Sequence, residues 1–299
     1  MTEKQFKGVV VPMVTPLTKT GRTDVLAVRR IMKLFARNGI SPLVLGTTGE
    51  SALVGAEESL RLVKTAVESR GKGQKVYAGL VGKNTADVVS LGKAYASEGV
   101  DAVVSTLPSY YILTEDQMRR YYLTLADSIK APVLMYNIKA TTQMSIPLSL
   151  SEELSHHPNI AGLKDSERDE QRLADSIKAF RDRPDFSFFC GWGAKGAASL
   201  EMGADGIVPS TANIVPELYS KLYSAYLAGN FAEADRLQAL TDQVGAVYQK
   251  GRTLGESLAA LKVLMGTRKL CGPAMMAPLT PLAEDEAQKV VSQFKALGL

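Results

Sequence analysis

The sequence has few of the residues that cross-link small proteins or bind metal ions. It contains two cysteines, Cys190 and Cys271, and two histidines, which are adjacent at His156 and His157. Neither cysteine lies in a CxxC pattern, so the sequence predicts neither a disulfide framework nor a zinc site. We therefore expect no metal site, and any chemistry has to come from other side chains.

Long apolar runs and clusters of one charge are also missing. The N-terminal stretch MTEKQFKG has no apolar signal region, and no apolar run approaches the ~20 residues of a membrane helix. The 35 basic and 31 acidic residues are scattered along the chain, with a formal net charge of +4. This pattern predicts no membrane span and no nucleic-acid partner, and it favours a cytoplasmic protein.

Eight short apolar runs, rich in Val, Ile and Leu, alternate with amphipathic stretches over most of the 299 residues. Strands that are buried on both faces of a parallel sheet have this composition. The runs cover residues 8–16, 41–46, 75–82, 101–107, 132–138, 160–165, 186–192 and 206–211.

This succession predicts an α/β protein with the fold of a (β/α)8 TIM barrel. A doubly wound open sheet is the alternative, although it seldom uses eight strands in such regular order. The strand pattern stops after about residue 216, and the rest is typical of helices. We expect residues 1–299 to form a single unit, with about 230–299 as a C-terminal helical extension.

Active sites of such barrels lie at the C-terminal ends of the strands. The second run ends in Gly46-Thr47-Thr48-Gly49, which suits either a carboxylate-binding turn or a plain strand-to-helix turn. The sixth run ends in Lys164. That lysine is either solvated at the rim or held inside the mouth, where a neutral amine is a nucleophile for a ketone.

Tyrosines close two further runs. Tyr136 ends the fifth run, and Tyr110 and Tyr111 follow the fourth. Tyrosines at strand ends often serve only as amphipathic packing. Together with Lys164 and the Thr47 turn, they would supply a nucleophile, proton donors and an anion pocket on one face of the barrel.

Four motifs occur in order on successive strands: GTTGES at 46–51, P-x-Y at 108–110, YN at 136–137 and GLKD at 162–165. This set resembles the pyruvate-dependent class I aldolase family, which includes dihydrodipicolinate synthase, N-acetylneuraminate lyase and the 2-keto-3-deoxy sugar acid aldolases. The resemblance extends from about residue 8 to the C-terminus. It implies a Schiff-base mechanism on pyruvate or a related 2-oxo acid without a separate cofactor, in a homotetramer built as a dimer of dimers.

The resemblance also implies roles for individual residues. Lys164 corresponds to the Schiff-base lysine and Tyr136 to the proton donor and acceptor. Thr47 and Thr48 correspond to the carboxylate site, with Thr47 also relaying protons to Tyr136. Tyr110 corresponds to a relay tyrosine lent to the neighbouring subunit, with Tyr111 as the alternative. Substrate-binding positions are further implied at Gly46, Thr141, Gly191 and Val208.

The sequence departs from two members of the family. Thr141 stands where dihydrodipicolinate synthase has an arginine for the aldehyde's carboxylate, and a hydroxyl does not replace a guanidinium there. Lys139 either compensates or is a solvated loop lysine. The acidic pair of N-acetylneuraminate lyase is missing after the seventh run, which reads CGWGAK at 190–195.

These departures favour a lyase acting on a hydroxylated 2-oxo acid, such as a 2-keto-3-deoxy sugar acid or 4-hydroxy-2-oxoglutarate. Two alternatives stay open. One is a 4-hydroxy-tetrahydrodipicolinate synthase that condenses pyruvate with aspartate semialdehyde. The other is a catalytically inactive relative that binds small anions.

Overall fold

The computed structural model describes residues 4–299. Eight parallel strands close into a barrel in which each strand pairs with the next and the last pairs with the first. The prediction of a (β/α)8 barrel is confirmed. The strands are β1 (Gly8–Pro12), β2 (Ser41–Val44), β3 (Tyr77–Leu80), β4 (Ala102–Thr106), β5 (Val133–Asn137), β6 (Ile160–Asp165), β7 (Ser187–Cys190) and β8 (Gly206–Ile207).

Helices connect the strands and continue beyond the last one. They are α1 (Val25–Arg37), α2 (Ala56–Glu68), α3 (Thr85–Ser97), α4 (Glu115–Ser128), α5 (Lys139–Thr142), α6 (Leu148–Leu154), α7 (Glu170–Phe180), α8 (Gly196–Glu201), α9 (Pro216–Leu227), α10 (Phe231–Gln249), α11 (Leu254–Thr267) and α12 (Glu284–Ala296). Short 3-10 turns follow three of the strands, at Thr47–Gly49, Gly193–Lys195 and Ser210–Asn213.

Both faces of the strands are buried, as the continuous apolar runs predict. Alternate side chains fill the barrel interior, and the others pack beneath the surrounding helices. The interior cluster consists of Phe6, Val10, Leu43, Tyr77, Ala102, Val104, Leu134, Tyr136, Ile138, Phe189 and Val208. This packed interior is the floor on which the side chains of the mouth rest.

Local signals fix where the helices begin. Thr114 and Gln117 form the capping box that their spacing predicts at the start of α4, with both reciprocal hydrogen bonds present. A second capping box, from Thr253 and Glu256, starts α11. None of the helices in residues 4–299 is both long and apolar enough to cross a membrane.

The helices after the barrel pack against it and against each other, with α10 on α8 and α9, and α11 on α10 and α12. Lys262 of α11 is wholly buried and forms an ion pair with Glu50, in the loop that follows β2. The last helices are thereby joined to the mouth of the barrel.

Candidate active site

Lys164 lies inside the barrel mouth and not at the solvated rim. It is register partner to Tyr136 on the neighbouring strand, so the two side chains point the same way. Lys164 is 4% exposed, and its Nζ lies 3.7 Å from the centroid of the Tyr136 ring. Within residues 4–299, Lys164 forms no ion pair with a carboxylate, which leaves its amine next to a phenol and not next to an anion.

An apolar layer lies directly below this amine. Val104, Leu134, Phe189 and Val208 line a small cavity together with Lys164. All four are 5% exposed or less. The amine therefore lies on a layer of apolar side chains, in a position where a nucleophilic lysine can meet a ketone.

The Tyr136 hydroxyl is the point where the side chains of the mouth converge. It lies 3.5 Å from the Thr47 hydroxyl and 3.5 Å from the Ser166 hydroxyl, both at the long limit of a hydrogen bond. Burial alone raises the pKa of Tyr136. The positive charge of Lys164 and the hydrogen bonds from Ser166, Thr47 and Lys164 outweigh that effect, so its pKa lies below the usual value.

Ser166 is a residue of the site that the sequence analysis did not single out. It directly follows the GLKD motif, and this proximity was the available signal. Gly191 faces it closely: a Cβ on Gly191 would lie 2.0 Å from Ser166 Oγ and 3.0 Å from the Asp165 carbonyl oxygen. Gly191 is therefore needed because of a close approach, and any side chain there would displace Ser166.

The loop that carries the two threonines is backbone-constrained at both ends. Leu45, with φ 55°, and Glu50, with φ 57°, both adopt the left-handed conformation that non-glycine residues rarely use. The glycines between them do not: Gly46 has φ −75°, and Gly49 packs where a Cβ would lie 3.0 Å from the Met13 carbonyl oxygen. Such conformations often accompany functional sites.

A buried polar network supports the ends of β5 and β6 from outside the barrel. Asn137 Nδ2 donates to both Asp165 oxygens at 3.1 Å, and Arg172 Nε donates to the same carboxylate at 2.7 Å. Burial raises the pKa of Asp165, and the Arg172 charge opposes that rise. Since Asn137 and Asp165 directly follow Tyr136 and Lys164, the network fixes the strand ends that carry both.

A cavity of about 220 Å³ opens beside the loop and extends towards the C-terminal helices. Thr47 and Thr141 line it, with Leu254, Leu258 and Leu279 on the far wall. Among the lining residues the only charged one is Glu50, which Lys262 neutralises. The lining residues offer no free cation for a second carboxylate.

Lys139 does not take the place of the missing arginine in this conformation. Its Nζ pairs with Glu167 at 3.2 Å, and its side chain is 59% exposed. Gln143, in the same loop, adopts φ 58°. The side chain of Lys139 is therefore paired with Glu167 and is not part of the cavity lining.

Tyr110 and Tyr111 are not brought to the other site residues within one chain. They are 88% and 75% exposed, and their rings pack edge to face with centroids 4.9 Å apart. Ile112 beside them is also exposed. By contrast, Thr48 and Val208, for which the family resemblance implies substrate contacts, are both buried.

A sequence model of the dihydrodipicolinate synthetase family matches residues 5–297. The 4-hydroxy-tetrahydrodipicolinate synthase of Pseudoalteromonas atlantica is 34% identical over 233 residues, which cover 78% of this chain and 79% of that protein.

Solved structures of similar proteins extend the match to the fold. The dihydrodipicolinate synthase of Bacteroides thetaiotaomicron superposes with a TM-score of 0.92 and 28% identity, over 98% of this chain and 99% of that chain. The dihydrodipicolinate synthase of Acinetobacter baumannii, solved in complex with pyruvate, has a TM-score of 0.88 and 25% identity over 98% and 99%.

Proposed function

The chain belongs to the dihydrodipicolinate synthetase family of pyruvate-dependent lyases, and on that premise we propose that Lys164 forms a Schiff base with pyruvate. The observation that carries this proposal is the buried Lys164 amine, which lies against the Tyr136 ring without a carboxylate partner. A relative solved in complex with pyruvate supports the choice of substrate.

In the proposed reaction the carboxylate of pyruvate binds at the loop of Gly46, Thr47 and Thr48. Lys164 Nζ adds to C2 and water leaves, which gives a protonated imine. This imine is an electron sink, so C3 loses a proton and becomes an enamine carbon. C3 then attacks the carbonyl carbon of an aldehyde to form the C3–C4 bond, and water later releases the product from Lys164. Cleavage of a hydroxylated 2-oxo acid is the same sequence in reverse.

Tyr136 is the proposed proton carrier. Its ring lies 3.7 Å from Lys164 Nζ and its hydroxyl 3.5 Å from the Thr47 hydroxyl, and its lowered pKa makes the phenol a better proton donor. We assign the third relay position to Tyr110 of a second subunit. The exposed Tyr110, Tyr111 and Ile112 support this assignment, since an oligomer such as a homotetramer would cover them.

The relatives favour aspartate semialdehyde as the second substrate, whereas the sequence alone favours a hydroxylated 2-oxo acid. Those reported above are named dihydrodipicolinate or 4-hydroxy-tetrahydrodipicolinate synthases. We therefore place condensation of pyruvate with aspartate semialdehyde first. Cleavage of a hydroxylated 2-oxo acid is the second candidate, because Thr141 and the apolar wall offer no free cation for the carboxylate of aspartate semialdehyde.

One assay separates these candidates. Purified enzyme is given pyruvate with aspartate semialdehyde, and separately a panel of 2-keto-3-deoxy sugar acids and 4-hydroxy-2-oxoglutarate, from which pyruvate release is measured. If the protein is a synthase, the reaction with aspartate semialdehyde should be faster than pyruvate release from the panel. Lys139→Met should also raise the KM for the aldehyde if Lys139 rotates to bind its carboxylate. Turnover of neither substrate class, with retained pyruvate binding and no imine, would indicate the inactive anion-binding alternative.

A further inference from the structure

We propose that the buried pair Glu50–Lys262 is a positioning device that sets how tightly the loop Thr47–Gly49 holds the carboxylate of the substrate. The inference rests on the proposed function, because that loop is the proposed carboxylate site. It assigns to the C-terminal helices a role in substrate affinity, through two fully buried side chains that are not part of the proposed carboxylate site.

The pair joins three distant segments of the chain. Both side chains are fully buried. Lys262 of α11 donates to the Glu50 carboxylate and, at 2.8 Å, to the Ala274 carbonyl oxygen. The other Glu50 oxygen accepts from the Met276 backbone N–H at 2.8 Å. The carboxylate therefore ties the loop after β2 to α11 and to the segment that follows α11.

The barrel holds the same loop from the opposite side. Thr15 Oγ1 donates to the Gly49 carbonyl oxygen at 2.5 Å, and Gly49 packs against the Met13 backbone. Glu50 is the next residue and adopts φ 57°. Both contacts directly follow Thr47 and Thr48, and they hold the C-terminal end of the loop from two sides. Loss of the Glu50 contact would free one side of the loop, whose backbone conformation is already unfavourable.

The energetics of buried ion pairs also point to positioning. Removing two charges from water costs about as much as their attraction returns, so apolar side chains of similar size usually stabilise a fold equally well. Glu50 and Lys262 lie 212 positions apart, so their pairing fixes two distant segments relative to each other. This geometry explains the pair better than its contribution to stability does.

The test compares this pair with a matched pair at the opposite end of the barrel. Lys4 donates to Asp205 at 2.8 Å and to the Phe180 carbonyl oxygen, and Asp205 accepts from the Phe188 backbone N–H. In both pairs the lysine also donates to a backbone carbonyl oxygen and the carboxylate also accepts from a backbone N–H, although Asp205 uses one oxygen for both bonds. Asp205 directly precedes β8, far from the mouth.

The two double variants are Glu50→Gln/Lys262→Met and Lys4→Met/Asp205→Asn, and each removes both charges of its pair. Each is titrated with pyruvate, reduced with borohydride, and the adduct on Lys164 is quantified by mass spectrometry. We expect the half-saturating pyruvate concentration to rise about tenfold or more in the first variant, because a misplacement of about 1 Å can cost even more. The maximal trapped fraction should be unchanged, and the Lys4/Asp205 variant should resemble the wild type.

An equal half-saturating concentration in both variants would overturn the inference. A wild-type enzyme that traps no pyruvate would instead contradict the proposed function. If the first variant does not fold, the wild type supplies the test by amide hydrogen exchange. Pyruvate at the loop should slow exchange of the Met276 amide several-fold and leave the Phe188 amide unaffected. No change at Met276 would again overturn the inference.

Discussion

Two buried lysines in this protein have opposite environments. Lys262 lies between the barrel and the C-terminal helices and meets a carboxylate and a backbone carbonyl. Lys164 lies at the barrel mouth, above apolar side chains, with the Tyr136 ring 3.7 Å from its amine. Burial is similar, so burial alone does not identify a reactive lysine. The partner separates them: a carboxylate holds the Lys262 amine in an ion pair, whereas the Lys164 amine has no carboxylate partner among the described residues.

The largest expected effect is the loss of activity in Lys164→Met, with little change in the stability of the fold. Lys164→Met should abolish turnover and imine formation, because no other described lysine lies beside Tyr136. The thermal midpoint should change little, since no ion pair is lost. Steady-state assays and calorimetry measure the two effects. Lys195→Met, at the rim of the same mouth, is the control and should keep activity. Residual turnover above about 1% of wild type would contradict the role of Lys164.

The second change tests the phenol next to the proposed Schiff-base lysine. Tyr136→Phe should lower kcat by roughly 10²–10⁴-fold, as expected for a lost proton carrier. Borohydride should still trap pyruvate on Lys164, although more slowly. Tyr95→Phe, at another buried tyrosine, is the control and should leave kcat within a few-fold of wild type. An unchanged kcat in Tyr136→Phe would place proton transfer on another group.

The third change addresses the other lysine. Lys262→Met leaves the Glu50 carboxylate buried without its cation, and we expect a loss of about 3–5 kcal/mol in the free energy of unfolding. Urea denaturation measures it. Lys289→Met, which removes an exposed pair with Glu286, should cost far less, because solvent screens that pair. Similar losses in both variants would show that the buried pair is no more than a surface contact.

A fourth change tests the close packing around Ser166. Gly191→Ala places a methyl group on Ser166 Oγ, so overpacking of about 1–3 kcal/mol and a reduced kcat are expected. Gly193→Ala has open space around its new methyl group and serves as the matched control. The comparison is made by calorimetry and steady-state kinetics. Equal behaviour of the two alanine variants would show that Ser166 moves aside at no cost.

The smallest expected effect is a shift in the pKa of Tyr136, measured by titration. Tyrosinate absorbance should reveal one tyrosine in the wild type that ionises below the usual pKa, and this transition should vanish in Tyr136→Phe. In Lys164→Met it should move upward, because burial remains while the positive charge is lost. A lowered folded-state pKa stabilises the fold above the unfolded value of about 10, and this contribution is lost as pH falls through the folded value. An unmoved transition in Lys164→Met would mean that the two groups are not coupled.

Much of the fold followed from periodicity. The eight apolar runs predict the eight strands because both faces of a barrel strand are buried, and the Thr114–Gln117 spacing predicts the start of α4. The strand ends vary more: the eighth run predicts six residues, but β8 has only Gly206 and Ile207 before a 3-10 turn. A turn that directly continues an apolar strand has no compositional boundary.

The site was only partly predictable. Motif order brings Lys164 and Tyr136 onto adjacent strands, but sequence alone leaves open whether Lys164 lies inside or at the rim. Ser166 and the Glu50–Lys262 pair were not found, because their contacts depend on side-chain packing between segments far apart in the chain. The left-handed conformations at Leu45 and Glu50 are not predictable from composition, since each residue has a glycine neighbour that would adopt such a conformation more readily.

One measurement tests the contrast between Lys164 and Lys262 directly. The wild-type enzyme is incubated with pyruvate, reduced with borohydride, digested and analysed by peptide mass spectrometry. The account predicts a single reduced adduct on the peptide that contains Lys164, and an unmodified Lys262. An adduct on Lys262 or on a surface lysine, with Lys164 unmodified, would contradict it.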